Sequence, residues 1–227
     1  MRLPALALSV LAAAPLAAQT TPAARTADPD RNAAGGVQVP GWTARLDRAG
    51  AQPSQVSFTR MGNGYHVTAG PSGIYYDAKQ TASGNYTVSG TFTQTKAPAH
   101  PEAYGLIAGG QNLGGDAPSY MYFIVRGDGK YMVKHRANAT EVHTIVDWTA
   151  NPAVKAAGAD GKSTNALQIR VAADSVRFVA NGTTVASVPR SEAGGMAGVA
   201  GLRVNHNLDV HVDRFSVTPA AGRAARR

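Results

Sequence analysis

The chain has 227 residues, 22 Lys and Arg against 14 Asp and Glu, and no cysteine. That length allows one β-domain plus processing segments, and the missing cysteine excludes disulfides, thiolate metal sites, a Cys nucleophile and a lipid anchor on Cys. Of the formal charge of +8, Arg223, Arg226 and Arg227 lie in the last five residues and Arg2 in the first two. No basic stripe is interleaved with aromatics, so nucleic acid is not an expected partner.

Residues 1–19 read as a signal peptide: Arg2, an apolar run from Leu3 to Leu16, then small residues at Ala17 and Ala18. The run is too short and too broken by Pro4 and Pro15 to span a bilayer. No transmembrane segment is expected after cleavage, and the mature chain is expected to be exported, periplasmic or extracellular. Residues 20–38 are rich in Ala, Pro, Asp and Gly without an apolar period, which predicts a disordered leader. Residues 39–218 are the expected folded domain, and 219–227 a basic disordered tail.

Trp42 opens the domain. Gln55–Thr59 and Tyr65–Thr68 alternate around Asn63-Gly64, a strong two-residue hairpin signal. Ile74-Tyr75-Tyr76 is a short strand. In 85–94, Tyr86, Val88, Gly90 and Phe92 take one face and Thr87, Ser89, Thr91 and Thr93 the other, a period of 2 with a wet side. A Pro-rich loop over 96–101 precedes the small apolar strand 102–110. The hairpin at 119–136 follows, with Tyr120, Tyr122, Ile124 and Arg126 on one face and Met121, Phe123 and Val125 on the other; Asp128-Gly129 is its expected tight turn. Strands then recur to the end, with Asn181-Gly182 as a further turn. About a dozen short strands, no amphipathic helix and frequent turn signals predict an all-β fold, a two-layer antiparallel β-sandwich.

Leu167–Val171, then Phe178–Gly182, then the Gly-x-x-Gly-Leu-Arg run Gly198–Arg203 form a distinctive closing order. It resembles the concanavalin A-like lectin/glucanase superfamily, especially the laminin-G-like jelly rolls and, more distantly, the 3-keto-disaccharide hydrolase domains. The resemblance implies a concanavalin A-like jelly roll and a bias toward glycans. It transfers no catalytic residue. The chain lacks the Glu-x-Asp-x-x-Glu strand of the glucanases, having only Glu102, Glu141 and Glu192, and it lacks the Gly-Glu-Trp-Asn stretch of the hydrolase relatives.

Three functions are open at this point. A carbohydrate-binding module would use ring platforms, for which Tyr75, Tyr76, Tyr104, Tyr120, Tyr122 and Trp148 are candidates, with Arg126, Lys134, His135, Arg136 and His206 supplying polar contacts. A hydrolase acting on glycosidic bonds would need two carboxylates about 5–10 Å apart. Asp209, His211 and Asp213, which alternate on the last strand, and Glu102 are the candidate acid–base groups. A structural or adhesive envelope protein would need neither. The same strand face could hold a divalent cation such as Ca2+, but nothing in the sequence selects one, and no cofactor is expected.

Overall fold

The computed structural model describes residues 28–220. The expected signal peptide and the tail beyond Ala220 lie outside the described residues. The chain is the expected two-layer β-sandwich. One sheet joins, in spatial order, β1 (Gly36–Val37), β3 (Ser57–Met61), β4 (Gly64–Thr68), β15 (Asp209–Pro219), β6 (Tyr86–Gln94), β11 (Ser163–Val171), β12 (Ser175–Ala180) and β13 (Thr183–Pro189). The other joins β10 (Val142–Ala150), β9 (Lys130–Arg136), β8 (Ser119–Arg126), β7 (Ala103–Gln111), β14 (Gly198–Val204), β5 (Gly73–Ala82) and β2 (Trp42–Leu46). All pairs are antiparallel except β1 with β3. No described helix is long and apolar enough to cross a membrane.

The alternation read in β6 sets the layering. Tyr86, Val88 and Phe92 are buried, facing Leu106, Phe123 and Leu202 of the opposite sheet in one apolar core. The Thr side of β6 lies outward, where Ser89 meets Ser216 and Thr93 meets Thr164 through their hydroxyls at 2.9 and 3.0 Å. The seven-stranded sheet differs. Ala103–Gly110 and Tyr120–Val125 are buried on both faces. A second apolar cluster, including Ile74, Tyr76, Ile107, Tyr122, Ile124 and Met132, lines its outer side. Leu113 from the β7–β8 loop belongs to that cluster, and Trp148 of β10 packs against it.

Two turns depart from expectation. The β8–β9 loop is Gly127-Asp128-Gly129, since Arg126 pairs with Lys130. Gly129 donates its N–H to the Arg126 carbonyl at 3.1 Å and alone takes a positive φ, 79°. This is a three-residue loop closed by a left-handed glycine, not a two-residue turn. Met61 pairs with Gly64, so the first hairpin turns at Gly62-Asn63, one residue before Asn63-Gly64. Gly64 is needed in the strand, where a Cβ would overlap the Val212 carbonyl of β15.

The disordered leader expected over 20–38 needs correction in its described part. Ala33, Gly36 and Gln38 donate backbone N–H groups to the carbonyls of Gln55, Val56 and Phe58 at 3.0, 2.8 and 2.8 Å. Asn207 holds the segment from the other side. Its Oδ1 accepts from the Arg31 N–H at 2.8 Å, and its Nδ2 donates to Asp28 Oδ1 and the Pro29 carbonyl at 3.1 Å each. These are backbone and amide bonds, which leave no hydrophobic period in a sequence.

Candidate functional site

The outer face of the seven-stranded sheet collects most of the candidate binding residues. The β8–β9 register sets Tyr120 beside Arg136, Tyr122 beside Lys134 and Arg126 beside Lys130. Period 2 then puts all six side chains on one face and Met121, Phe123 and Val125 in the core. Arg126 lies over the Trp148 ring, 4.2 Å from its centroid. The Nε of Arg136 donates to the Tyr120 hydroxyl at 3.1 Å. Tyr120, Tyr122, Arg126, Lys134, Arg136 and Trp148 therefore form one constellation.

Within it the roles shift. Tyr120 is 1% exposed and Tyr122 7%, so neither offers an open ring. They form the floor, with ring centroids 5.8 Å apart. Tyr75 and Tyr76 are buried as well. Trp148 is half-buried and is the one aromatic of the six with substantial water contact. Tyr104 is on the wrong face: β7 turns it into the core, where its hydroxyl meets Ser163 Oγ and Asn165 Nδ2 at 3.1 Å each. It closes a buried polar network in which Asn165 also bridges Lys155 and Asn181. Tyr104 is structural. His135 lies on the opposite side of β9 from Lys134 and Arg136, and its Nε2 is 3.2 Å from Ser119 Oγ.

The face is electropositive. It carries Arg45, Arg126, Lys130, Lys134, Arg136 and Arg203, with Asp47 and Asp128 as the carboxylates. Asp47 is shared by Arg203 and Arg136, and Asp128 by Arg126 and Lys130. These two carboxylates thus serve four of the six cations. Burial alone would raise the Asp47 pKa, but the Arg203 guanidinium, helped by Arg136 and Arg45, holds it below the usual carboxylate range. Burial pushes the Tyr122 hydroxyl up, so it stays a neutral donor. At the β2 edge the face opens into a cleft of about 560 Å³ bordered by Arg45, Asp47, Tyr76, Leu113 and Ala139.

The hydrolase candidates fall into two separate groups. Asp209, His211 and Asp213 do line the outer face of β15. Asp209 is fully engaged there: His66 Nε2 lies at 3.0 Å, Lys96 Nζ at 2.9 Å and the Thr95 hydroxyl at 2.5 Å. Burial works to raise its pKa, yet Thr95, Lys96 and His66 hold the carboxyl low. His211 Nε2 sits 3.2 Å from Asp213 Oδ1. Glu102 stands elsewhere, with His100 and His206, and shares no partner with Asp209.

Because the folded pKa of Asp209 is depressed, its contribution is present above the unfolded value of about 4 and is lost as pH falls through the folded one. Asp209→Asn is therefore expected to be less stable than the parent at pH 7. The gap should close between about pH 5 and 2 in urea midpoints measured across pH. A gap independent of pH would count against this account.

His206, read as a binding residue, belongs to a cluster that the sequence did not reveal. His100 Nε2 and His206 Nε2 are 3.2 Å apart, and Glu102 Oε1 lies 3.0 and 3.1 Å from them. Asp30 Oδ1 is 3.2 Å from His206 Nδ1, and Asp28 Oδ2 is 3.4 Å from His100 Nδ1. The β6–β7 loop, the β14–β15 turn and the N-terminal segment all contribute. His100-Pro101-Glu102 and Asp28-Pro29-Asp30 are each local in sequence, but His206 is 106 residues from His100.

No family model matches the sequence, and no curated protein matches it. Solved structures do match by shape. The carbohydrate-binding module CBM66 from Bacillus subtilis superposes with a TM-score of 0.58 at 11% identity, covering 82% of this chain and 98% of that one. A Bacillus subtilis protein of unknown function with a galectin-like fold gives 0.58 at 13%, covering 80% and 90%. The carbohydrate recognition domain of Emp46p, in its metal-free form, gives 0.54 at 8%, covering 80% and 89%. At these identities the likeness establishes the fold, a concanavalin A-like jelly roll, as the closing strands implied.

Proposed function

We propose that this protein is an exported carbohydrate-binding module that takes a glycan across the outer face of the seven-stranded sheet, with acidic sugars favoured. The observation that carries the reading is the convergence of Trp148, Arg126, Lys134 and Arg136 on one face above a buried Tyr120/Tyr122 floor. A pyranose needs an apolar ring to stack on and donors at its rim; here the half-buried Trp148, with Arg126 over its ring, is the ring on offer, and Arg126, Lys134 and Arg136 are the donors. The clustering of Arg45, Arg126, Lys130, Lys134 and Arg136 favours carboxylate- or sulfate-bearing sugars. The carbohydrate-binding module and the carbohydrate recognition domain among the structural neighbours support the same reading. Export rests on the Arg2–apolar–small order of the first residues.

A glycan array of neutral and acidic oligosaccharides, followed by calorimetry, tests it. The expected result is binding that weakens with salt and falls about 30-fold in Trp148→Ala, the ~2 kcal/mol of an aromatic anchor. Asp213→Asn, on the opposite sheet, should leave affinity unchanged. No binding to any sugar, or full affinity in Trp148→Ala, would overturn the reading.

A further inference from the structure

We propose that His100, His206 and Glu102 form a binding site for a zinc-class divalent cation. The argument is independent of the glycan-binding face. The Nε2 atoms of the two histidines and Oε1 of Glu102 mark a triangle with sides of 3.2, 3.0 and 3.1 Å. Its corners lie ~1.8 Å from its centre. An ion at the Zn–N and Zn–O distances of about 2.0–2.2 Å would sit ~1 Å above the plane and keep an open coordination position.

The proton inventory points the same way. Both Nδ1 atoms face carboxylates, His206 toward Asp30 at 3.2 Å and His100 toward Asp28 at 3.4 Å. A carboxylate that accepts from Nδ1–H fixes the tautomer and leaves Nε2 as a bare lone pair. With the proton on Nδ1 of each ring, two Nε2 lone pairs and a carboxylate oxygen would face one point. A cation satisfies that arrangement. Asp28 Oδ2 also lies 3.8 Å from His206 Nε2, so the acidic side of the cluster borders both histidines.

Donor type selects the metal. Two imidazoles and one carboxylate suit Zn2+ and its neighbours. Ca2+ wants six to eight oxygens at about 2.3–2.6 Å, and Mg2+ near-octahedral oxygen. The site is also accessible, since the His100 side chain is 47% exposed. Binding would tie the N-terminal segment, already held by Asn207, to the β6–β7 loop and the β14–β15 turn.

The test uses the full chain without a polyhistidine tag, stripped with chelator and titrated with Zn2+ in a calorimeter. One ion per chain is expected, with a raised unfolding temperature. Co2+ in its place should give the intense visible bands of a four-coordinate ion. Asp30→Ala should weaken Zn2+ by ~10–100-fold, the usual cost of removing an orienting carboxylate. His100→Ala and His206→Ala should weaken it further while keeping the parent circular dichroism spectrum. His143→Ala, beside the separate His143–Glu141 pair, should bind as the parent does. Absence of stoichiometric binding, a six-coordinate Co2+ spectrum, or unchanged affinity in His100→Ala would each overturn the proposal.

Discussion

Asp47→Ala is expected to lower the free energy of unfolding by about 3 kcal/mol, read from urea denaturation at neutral pH. Arg203 is the reason. Its side chain is only 8% exposed, in the middle of the seven-stranded sheet, and its guanidinium meets Asp47 in a two-pronged pair at 2.8 and 2.5 Å. Removing the carboxylate leaves Arg203 with Asn205 Oδ1 at 3.2 Å and the Tyr122 ring at 5.5 Å. Neither neutralises a buried cation, and breaking a buried pair by removing one partner costs about 3–5 kcal/mol. The low end applies because Asp47 is 29% exposed, so water softens the loss. The double variant Asp47→Ala/Arg203→Met should recover most of the stability, since an apolar replacement of a whole buried pair is often neutral. A single variant as stable as the parent would show that Arg203 finds its solvation elsewhere. The pair also bears on the candidate site, because Arg203 packs beneath Tyr122 and Asp47 steers Arg136 toward the face.

The parity of the central hairpin was legible in the sequence. Tyr120, Tyr122 and Arg126 share a face in β8 because side chains alternate, and no tertiary information is needed for that. The wet side of β6 was legible for the same reason. Burial of the outer face was not. Strict alternation predicts one dry side, but in β8 both sides are dry, since Leu113 and Trp148 arrive from a loop and from another strand. Tyr104 was misassigned because its strand, AYGLIAGG, is apolar on both parities and does not say which side is the core. The His100–His206–Glu102 cluster was invisible for a different reason. It is held together by Asn207 and by backbone bonds between distant segments, and such bonds leave no compositional trace. The dipeptides Asp-Gly and Asn-Gly marked real turns at 126–130 and 61–64, but loop length and register came from the neighbouring strands.

Gly105→Ala is the second large effect, expected to cost about 3 kcal/mol and lower the unfolding temperature by roughly 10 °C. A single methyl group has this consequence because of where it would go. Gly105 pairs with Ile124 of β8 on one side and Arg203 of β14 on the other. A Cβ at Gly105 would overlap the Phe123 carbonyl and lie 2.9 Å from the Ile124 Cα. In a regular ladder a Cβ stands roughly perpendicular to the sheet and clear of the partner backbone. Here β8 leans over β7 on the outer side, and only hydrogen fits beneath it. Gly201 repeats the arrangement against β5, where a Cβ would lie 3.0 Å from the Tyr76 Cβ. The two glycines flank Arg203 on that face, so the sheet closes toward the buried guanidinium where side chains are missing. The obstruction is backbone, which cannot rotate away as a side-chain tip can, so β7 or β8 must shift. Gly114→Ala is the matched control: only the Tyr76 hydroxyl, at 3.8 Å, lies near its added Cβ, and its effect should stay within about 0.5 kcal/mol. Because any shift of β8 moves Tyr122 and Arg126 together, Gly105→Ala should also weaken glycan binding. If it unfolds within about 0.5 kcal/mol of the parent, the ordinary surface range, the two strands are not as tightly apposed as their carbonyls indicate.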